Sequence, residues 1–109
     1  LVICDDISLP VGMMRFRPQG SSGGQNGLKD IINKLGKQEI PRLRIGVGQP
    51  PPQWDTADYV LSKFTKAELP DIKQVVDSAS GAVADWVQQG IEFCMNQYNR
   101  KQNTNSHET

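Results

Sequence analysis

MMRFRPQGSSGGQNGLKDIINKLG, residues 13–36, decides how this chain folds. Met13 to Arg17 alternates apolar and cationic side chains as a half-buried strand does, and a period of two projects Arg15 and Arg17 from one face. Pro18 to Gly27 follows with four of the chain's ten glycines. It leads directly into Leu28, Ile31, Ile32 and Leu35, which recur at i, i+3, i+4 and i+7. That spacing predicts an amphipathic helix over residues 28–35, with Gly36 as its C-cap.

The flanks extend the pattern. Ile40 to Gly48 (IPRLRIGVG) predicts a second strand, with Arg42 and Arg44 on one face and Leu43, Ile45 and Val47 on the other. Leu1 to Cys4 (LVIC) is continuously apolar, as a strand covered on both faces would be, and it starts with no polar lead-in, as if inside an element. Asp5 and Asp6 stand at its carboxyl end, and Ile7 to Gly12 (ISLPVG) reads as a turn-bearing connection. Three consecutive prolines interrupt regular structure in residues 49–55, and Thr56 to Phe64 predicts a short element of undecided type. From Pro70, the residues Ile72, Val75, Val76, Ala79, Val83, Trp86, Val87, Ile91, Met95 and Tyr98 keep helical spacing through Gly81 and Gly90. Asn99 to Thr109 has no apolar residue and is expected to be a disordered polar tail, which leaves residues 1–98 as one domain.

The 109 residues suit one domain, with a core of modest size and no need for disulfide or metal support. Twelve cations balance twelve anions, which argues against a polybasic binder. The balance hides an asymmetry: residues 1–50 hold seven cations against four anions, and the remainder holds five against eight. The first half is therefore suited to a phosphate-bearing partner. Cys4 and Cys94, far apart and set in apolar surroundings, read as buried free thiols of a reducing compartment. No apolar run approaches the roughly 20 residues that span a bilayer, and no signal-peptide pattern is present. A soluble protein is expected.

Several groups are candidates for chemistry. Glycines feeding a helix N-terminus let backbone amides approach an anion, although neither a P-loop nor a dinucleotide spacing occurs in residues 18–36. Gln25 and Asn26 lie at the mouth of that helix, able to cap it or to hydrogen-bond a ligand. Arg15, Arg17, Arg42 and Arg44 form two Arg-x-Arg pairs, either a bidentate phosphate clamp or a solvated face paired with carboxylates. Asp5 and Asp6 fit a general base, a partner orienting a histidine, a metal ligand or a turn. Trp54 and Trp86 read as core or lid anchors rather than base-stacking platforms. The lone histidine, His107, sits in the polar tail, away from any triad partner, and no set of residues has metal-ligand spacing. No metal and no cofactor are expected.

CDDISLPVG, RFRPQGSSGGQNGLKDIINKLG and PRLRIGVGQP, in that order, resemble the C-terminal part of bacterial-type peptidyl-tRNA hydrolase over roughly residues 1–95. The resemblance implies a single α/β domain with a twisted mixed sheet between helices, three layers in all, here without its first strands. It implies hydrolysis of the ester between a peptide and the tRNA 3′ end, with peptidyl-tRNA as partner, a monomer, and a cytoplasmic setting or else a plastid or mitochondrial matrix. In that family an aspartate matching Asp5 orients the catalytic histidine, which lies in an N-terminal third not found in these residues. Residues 1–109 alone are therefore expected to lack esterase activity. An asparagine matching Asn26 positions substrate or water, and basic residues matching Arg17 and Arg44 hold the tRNA 5′ phosphate, with Arg15, Arg42, Gln25 and Gly24 completing the candidate binding set. Residues 49–64 correspond to the lid beside the peptide cleft. Gln25 departs from the family's GGHNG motif, where a histidine stands. The alternative is a non-catalytic RNA-binding relative, such as a plastid intron-splicing factor.

Overall fold

The computed structural model describes residues 1–52, 55 and 64–99. Strands β1 (Val2–Asp6), β2 (Met14–Arg17) and β3 (Arg42–Gly46) form one mixed sheet in the order β1-β3-β2. β1 runs parallel to β3 and β2 runs antiparallel to it. Helix α1 (Asn26–Leu35) lies in the connection from β2 to β3 and touches β1. Helix α2 (Leu69–Gln89), the short α3 (Ile91–Cys94) and a π-helical turn, Met95–Asn99, complete the described chain. This is the expected α/β domain with a mixed sheet.

Element ends differ from the sequence reading for local reasons. β1 continues past Cys4 because Asp5 and Asp6 still pair with Ile45 and Gly46. β3 starts only at Arg42, since Pro41 has no N–H for a ladder and offers only its carbonyl, to the N–H of Val2. α1 begins at Asn26, two residues early, because the Gln25 side chain accepts from the Leu28 N–H and caps it. It ends as expected at Gly36, whose N–H reaches the Ile32 carbonyl. The long C-terminal helix is not continuous: it stops at Gly90, where φ 88° and ψ 175° leave helical space. β1 is also not covered as a doubly buried strand would be. It is an edge strand, with Cys4 buried and Ile3 54% exposed.

The core lies on one face of the sheet. Met14, Phe16 and Leu43 pack with Val75, Ala79, Ala82 and Cys94, and Ile45, Val83, Trp86 and Tyr98 close around them. The buried stripe of α2 runs through Val75, Ala79 and Ala82. Val76 and Val87, which share the same helical period, face out instead. Both cysteines are buried and free, as expected. Burial raises both thiols, so neither is an activated nucleophile.

Gly46 fixes the exit from β3. A Cβ there would lie 2.0 Å from the Pro10 carbonyl oxygen and 2.8 Å from that of Leu9. The Ile7–Gly12 connection thus rests directly on the strand end, which holds the carboxyl end of β1 in place.

Asn99, assigned from sequence to the polar tail, belongs to the fold. Its carboxamide oxygen accepts from the Phe16 N–H at 2.8 Å and its nitrogen donates to the Phe16 carbonyl at 3.0 Å. Residues 100–109 lie outside the described residues, as do Trp54 and most of the element expected over 56–64. One residue earlier, the Tyr98 hydroxyl donates to Asp85 Oδ2 and its ring sits 5.8 Å from that of Phe16. The Asp85 hydrogen bond, and then burial, push the Tyr98 phenol up to about 12. A phenol raised above its ordinary value of about 10 stabilises the fold fully below that pH and loses the contribution as pH climbs through the raised value. Urea midpoints are expected to fall between about pH 10 and the raised Tyr98 value, and Tyr98→Phe to remove that part of the decline.

No helix among the described residues is long and apolar enough to cross a membrane.

Candidate functional site

The two adjacent aspartates divide their work. Asp6 Oδ1 accepts from the Ser8 N–H at 2.8 Å and from the Ser8 hydroxyl at 2.5 Å, and Oδ2 lies 3.7 Å from Arg44 Nη1. It closes the turn after β1 and neutralises an arginine. Asp5 instead meets the mouth of α1, where its Oδ1 accepts from Gln25 Nε2 at 3.0 Å. Gln25 Oε1 in turn accepts from the Leu28 N–H at 2.6 Å. Because the oxygen is committed to the helix N-terminus, the nitrogen must face Asp5. A single carboxamide thus joins the helix cap to the carboxylate, in a fixed sense.

That arrangement engages both ends of the Gln25 side chain within the protein, although it was grouped from sequence with the ligand-binding residues. Asn26, the next residue, is exposed and makes no side-chain hydrogen bond among the described residues. Gly24 is exposed beside it, with open space where a Cβ would sit. Asp5, Asn26 and Gly24 therefore line one accessible corner at the α1 N-terminus, where helix amides favour an anion or a polarised carbonyl.

The arginines are not equivalent. In the sheet register Arg15 stands opposite Arg44 and Arg17 opposite Arg42, so all four project from one face. Like charges placed this way repel unless each finds a partner. Arg42 is fully buried: its Nε donates to Ile40 O, Nη1 to Gly20 O and Ser21 O, and Nη2 to Gln38 O, at 2.7–3.0 Å. Burial, and then Arg44, lower its pKa from the ordinary guanidinium value. Arg42 has no surface left for a phosphate, which corrects the four-arginine clamp: it is a strut holding the glycine loop from beneath.

Arg44, 14% exposed, spans Asp6 and the Ser22 carbonyl at 3.4 Å. The loop passes so close that a Cβ on Gly23 would lie 3.1 Å from Arg44 Nη2. Arg15 is half-buried and Arg17 exposed. The usable positive charge therefore sits at Arg17 and Arg15, with Arg44 behind them. The sequence did not flag Asn99, the one side chain among the described residues bonded to the backbone between Arg15 and Arg17. Its single trace in the sequence is an asparagine directly after the last residue of the helical apolar period.

Comparison with known proteins fits this geometry. A family model described as peptidyl-tRNA hydrolase matches residues 1–106. A protein of that name from Rhodopirellula baltica is 47% identical over 104 residues, which is 95% of this chain and 55% of the relative. One from Desulfitobacterium hafniense is 45% identical, covering 92% and 54%. The crystal structure of peptidyl-tRNA hydrolase from Acinetobacter baumannii superimposes with a TM-score of 0.79 at 32% identity, over 90% of this chain and 50% of that one. The chain thus spans about half the length of these relatives. The match runs through every described element, the Asp5 corner and the arginine strands included, and places the chain in the peptidyl-tRNA hydrolase family.

Proposed function

We propose that this chain forms the C-terminal part of an enzyme that hydrolyses the ester between a peptide and the 3′ end of tRNA, releasing tRNA for reuse in translation. Water adds to the ester carbonyl carbon and the bond to the ribose oxygen breaks. The water proton passes through a general base to that oxygen, leaving peptide carboxylate and free tRNA. Asp5 orients the base, an imidazole that the family resemblance places ahead of these residues; residues 1–99 hold no histidine. A carboxylate in that position selects the imidazole tautomer and stabilises the imidazolium as it forms. Asn26 positions substrate or water at the same corner. Arg17 and Arg15 meet the tRNA phosphate, Arg44 supports them, and Arg42 holds the loop. The protein is inferred to act as a monomer in the cytoplasm.

One observation carries the reading: the Asp5 carboxylate is fixed by Gln25 beside an exposed Asn26, on the same sheet that presents Arg17. The name shared by the relatives favours it over a non-catalytic RNA-binding role. The test is hydrolysis and binding of peptidyl-tRNA by the intact protein. Arg17→Ala is expected to weaken binding about tenfold and to reduce the slope of log affinity against log salt by about one. Turnover absent from the intact protein, or binding without salt dependence, overturns the reading.

A further inference from the structure

We propose that Asn99 is a positioning residue for the arginines of β2, setting the backbone from which Arg15 and Arg17 reach RNA phosphate. The inference rests on the phosphate reading above and adds to it a residue from the far end of the described chain. Among the described residues β2 is an edge strand, bonded to β3 on one side only. In an antiparallel ladder alternate residues turn their N–H and C=O to opposite sides. Phe16 turns its pair away from β3, and the side chain is fully buried, so these groups need a partner other than water. Asn99 meets both, at 2.8 and 3.0 Å. A carboxamide has the donor and acceptor of a peptide group, so one side chain here takes the place of a neighbouring strand.

The grip is centred on the residue between the two arginines. Phe16 points into the core while Arg15 and Arg17 leave the opposite face. The direction of both guanidinium stems therefore depends on the φ and ψ of the three residues that Asn99 holds. Tyr98 reinforces the same point, its ring against Phe16 and its hydroxyl on Asp85 of α2. The π-helical turn places these consecutive residues on one strand. Such a turn is uncommon and often accompanies a functional constraint.

The test uses the intact protein with deacylated tRNA bearing a 5′ phosphate as probe. Asn99→Ala is expected to weaken binding about three- to tenfold and to make the salt dependence shallower, because fewer phosphate contacts form. Asn99→Gln keeps a carboxamide with both donor and acceptor and is expected to recover part of the loss. In an Arg15→Ala/Arg17→Ala background Asn99→Ala is expected to add nothing, since what it positions is gone. A merely structural role would lower melting temperature while leaving the salt slope of the folded protein intact. The proposal is overturned if Arg17→Ala weakens binding but folded Asn99→Ala keeps both affinity and slope, or if its effect adds in full to the double arginine variant. If Arg17→Ala itself changes nothing, the phosphate reading falls and this one with it. Should Asn99→Ala not fold, Asn99→Gln carries the same comparison, with hydrogen exchange at the Phe16 amide reporting whether the grip has loosened.

Discussion

Arg42→Met is expected to destabilise the protein by about 3–5 kcal/mol, a large share of the roughly 5–15 kcal/mol that holds a domain together. Methionine matches the length of the arginine stem but leaves the carbonyls of Ile40, Gly20 and Ser21 without the donor they now have. The Gln38 carbonyl still accepts from the N–H groups of Gly20 and Ile40. Each buried acceptor left unpaired costs about 1–3 kcal/mol, and those that can swing out to water do so by moving the glycine loop. Arg42→Lys separates charge from shape. An ammonium presents its donors from one point and cannot reach the loop on one side and Gln38 on the other, so most of the loss is expected to persist. Urea unfolding checks this, with Arg17→Ala as the surface control; a lysine variant within about 1 kcal/mol of the parent would show that charge alone suffices.

Asp5→Asn is the sharpest test of the chemistry. The carboxamide is isosteric and its oxygen still accepts from Gln25 Nε2, so α1 keeps its cap and the fold is expected to stay intact. On the proposed mechanism, what disappears is the negative charge that fixes an imidazole tautomer and stabilises its protonated form. Hydrolysis of peptidyl-tRNA by the intact protein is expected to fall about a thousandfold, within the range that general acid–base catalysis contributes, with binding little changed. A loss below about tenfold would remove Asp5 from the mechanism.

The difference between these two aspects follows what a linear sequence can encode. Period and turn chemistry reveal β2, α1 and β3, because Phe16, Leu28, Ile32 and Leu43 sit at the spacing their elements impose. Motif resemblance singled out Asp5, although the residues alone left Asp5 and Asp6 indistinguishable; the contacts of Asp6 with Ser8 and Arg44, and of Asp5 with Gln25, separate them. Arg42 was misplaced because strand alternation tells which face a side chain takes and not what lies over that face. The glycine loop folds back across the sheet and turns a surface into an interior. Gly90 looked tolerable because one glycine interrupts neither the apolar count nor its period, yet its backbone ends the helix. Asn99 was hidden by composition: a polar residue among polar residues gives no sign that Phe16, 83 positions earlier, is bonded to it.

That separation also orders events during synthesis. The chain leaves the ribosome from its amino end, so β2 is made long before the residue that closes its free edge. Until Asn99 emerges, the outward N–H and C=O of Phe16 can pair with any passing strand. The hydrophobic side of β2 is equally bare while α2 is incomplete. The nascent protein thus passes through an interval in which β2 is an open, adhesive edge, and the speed at which Asn99 follows sets how long that interval lasts.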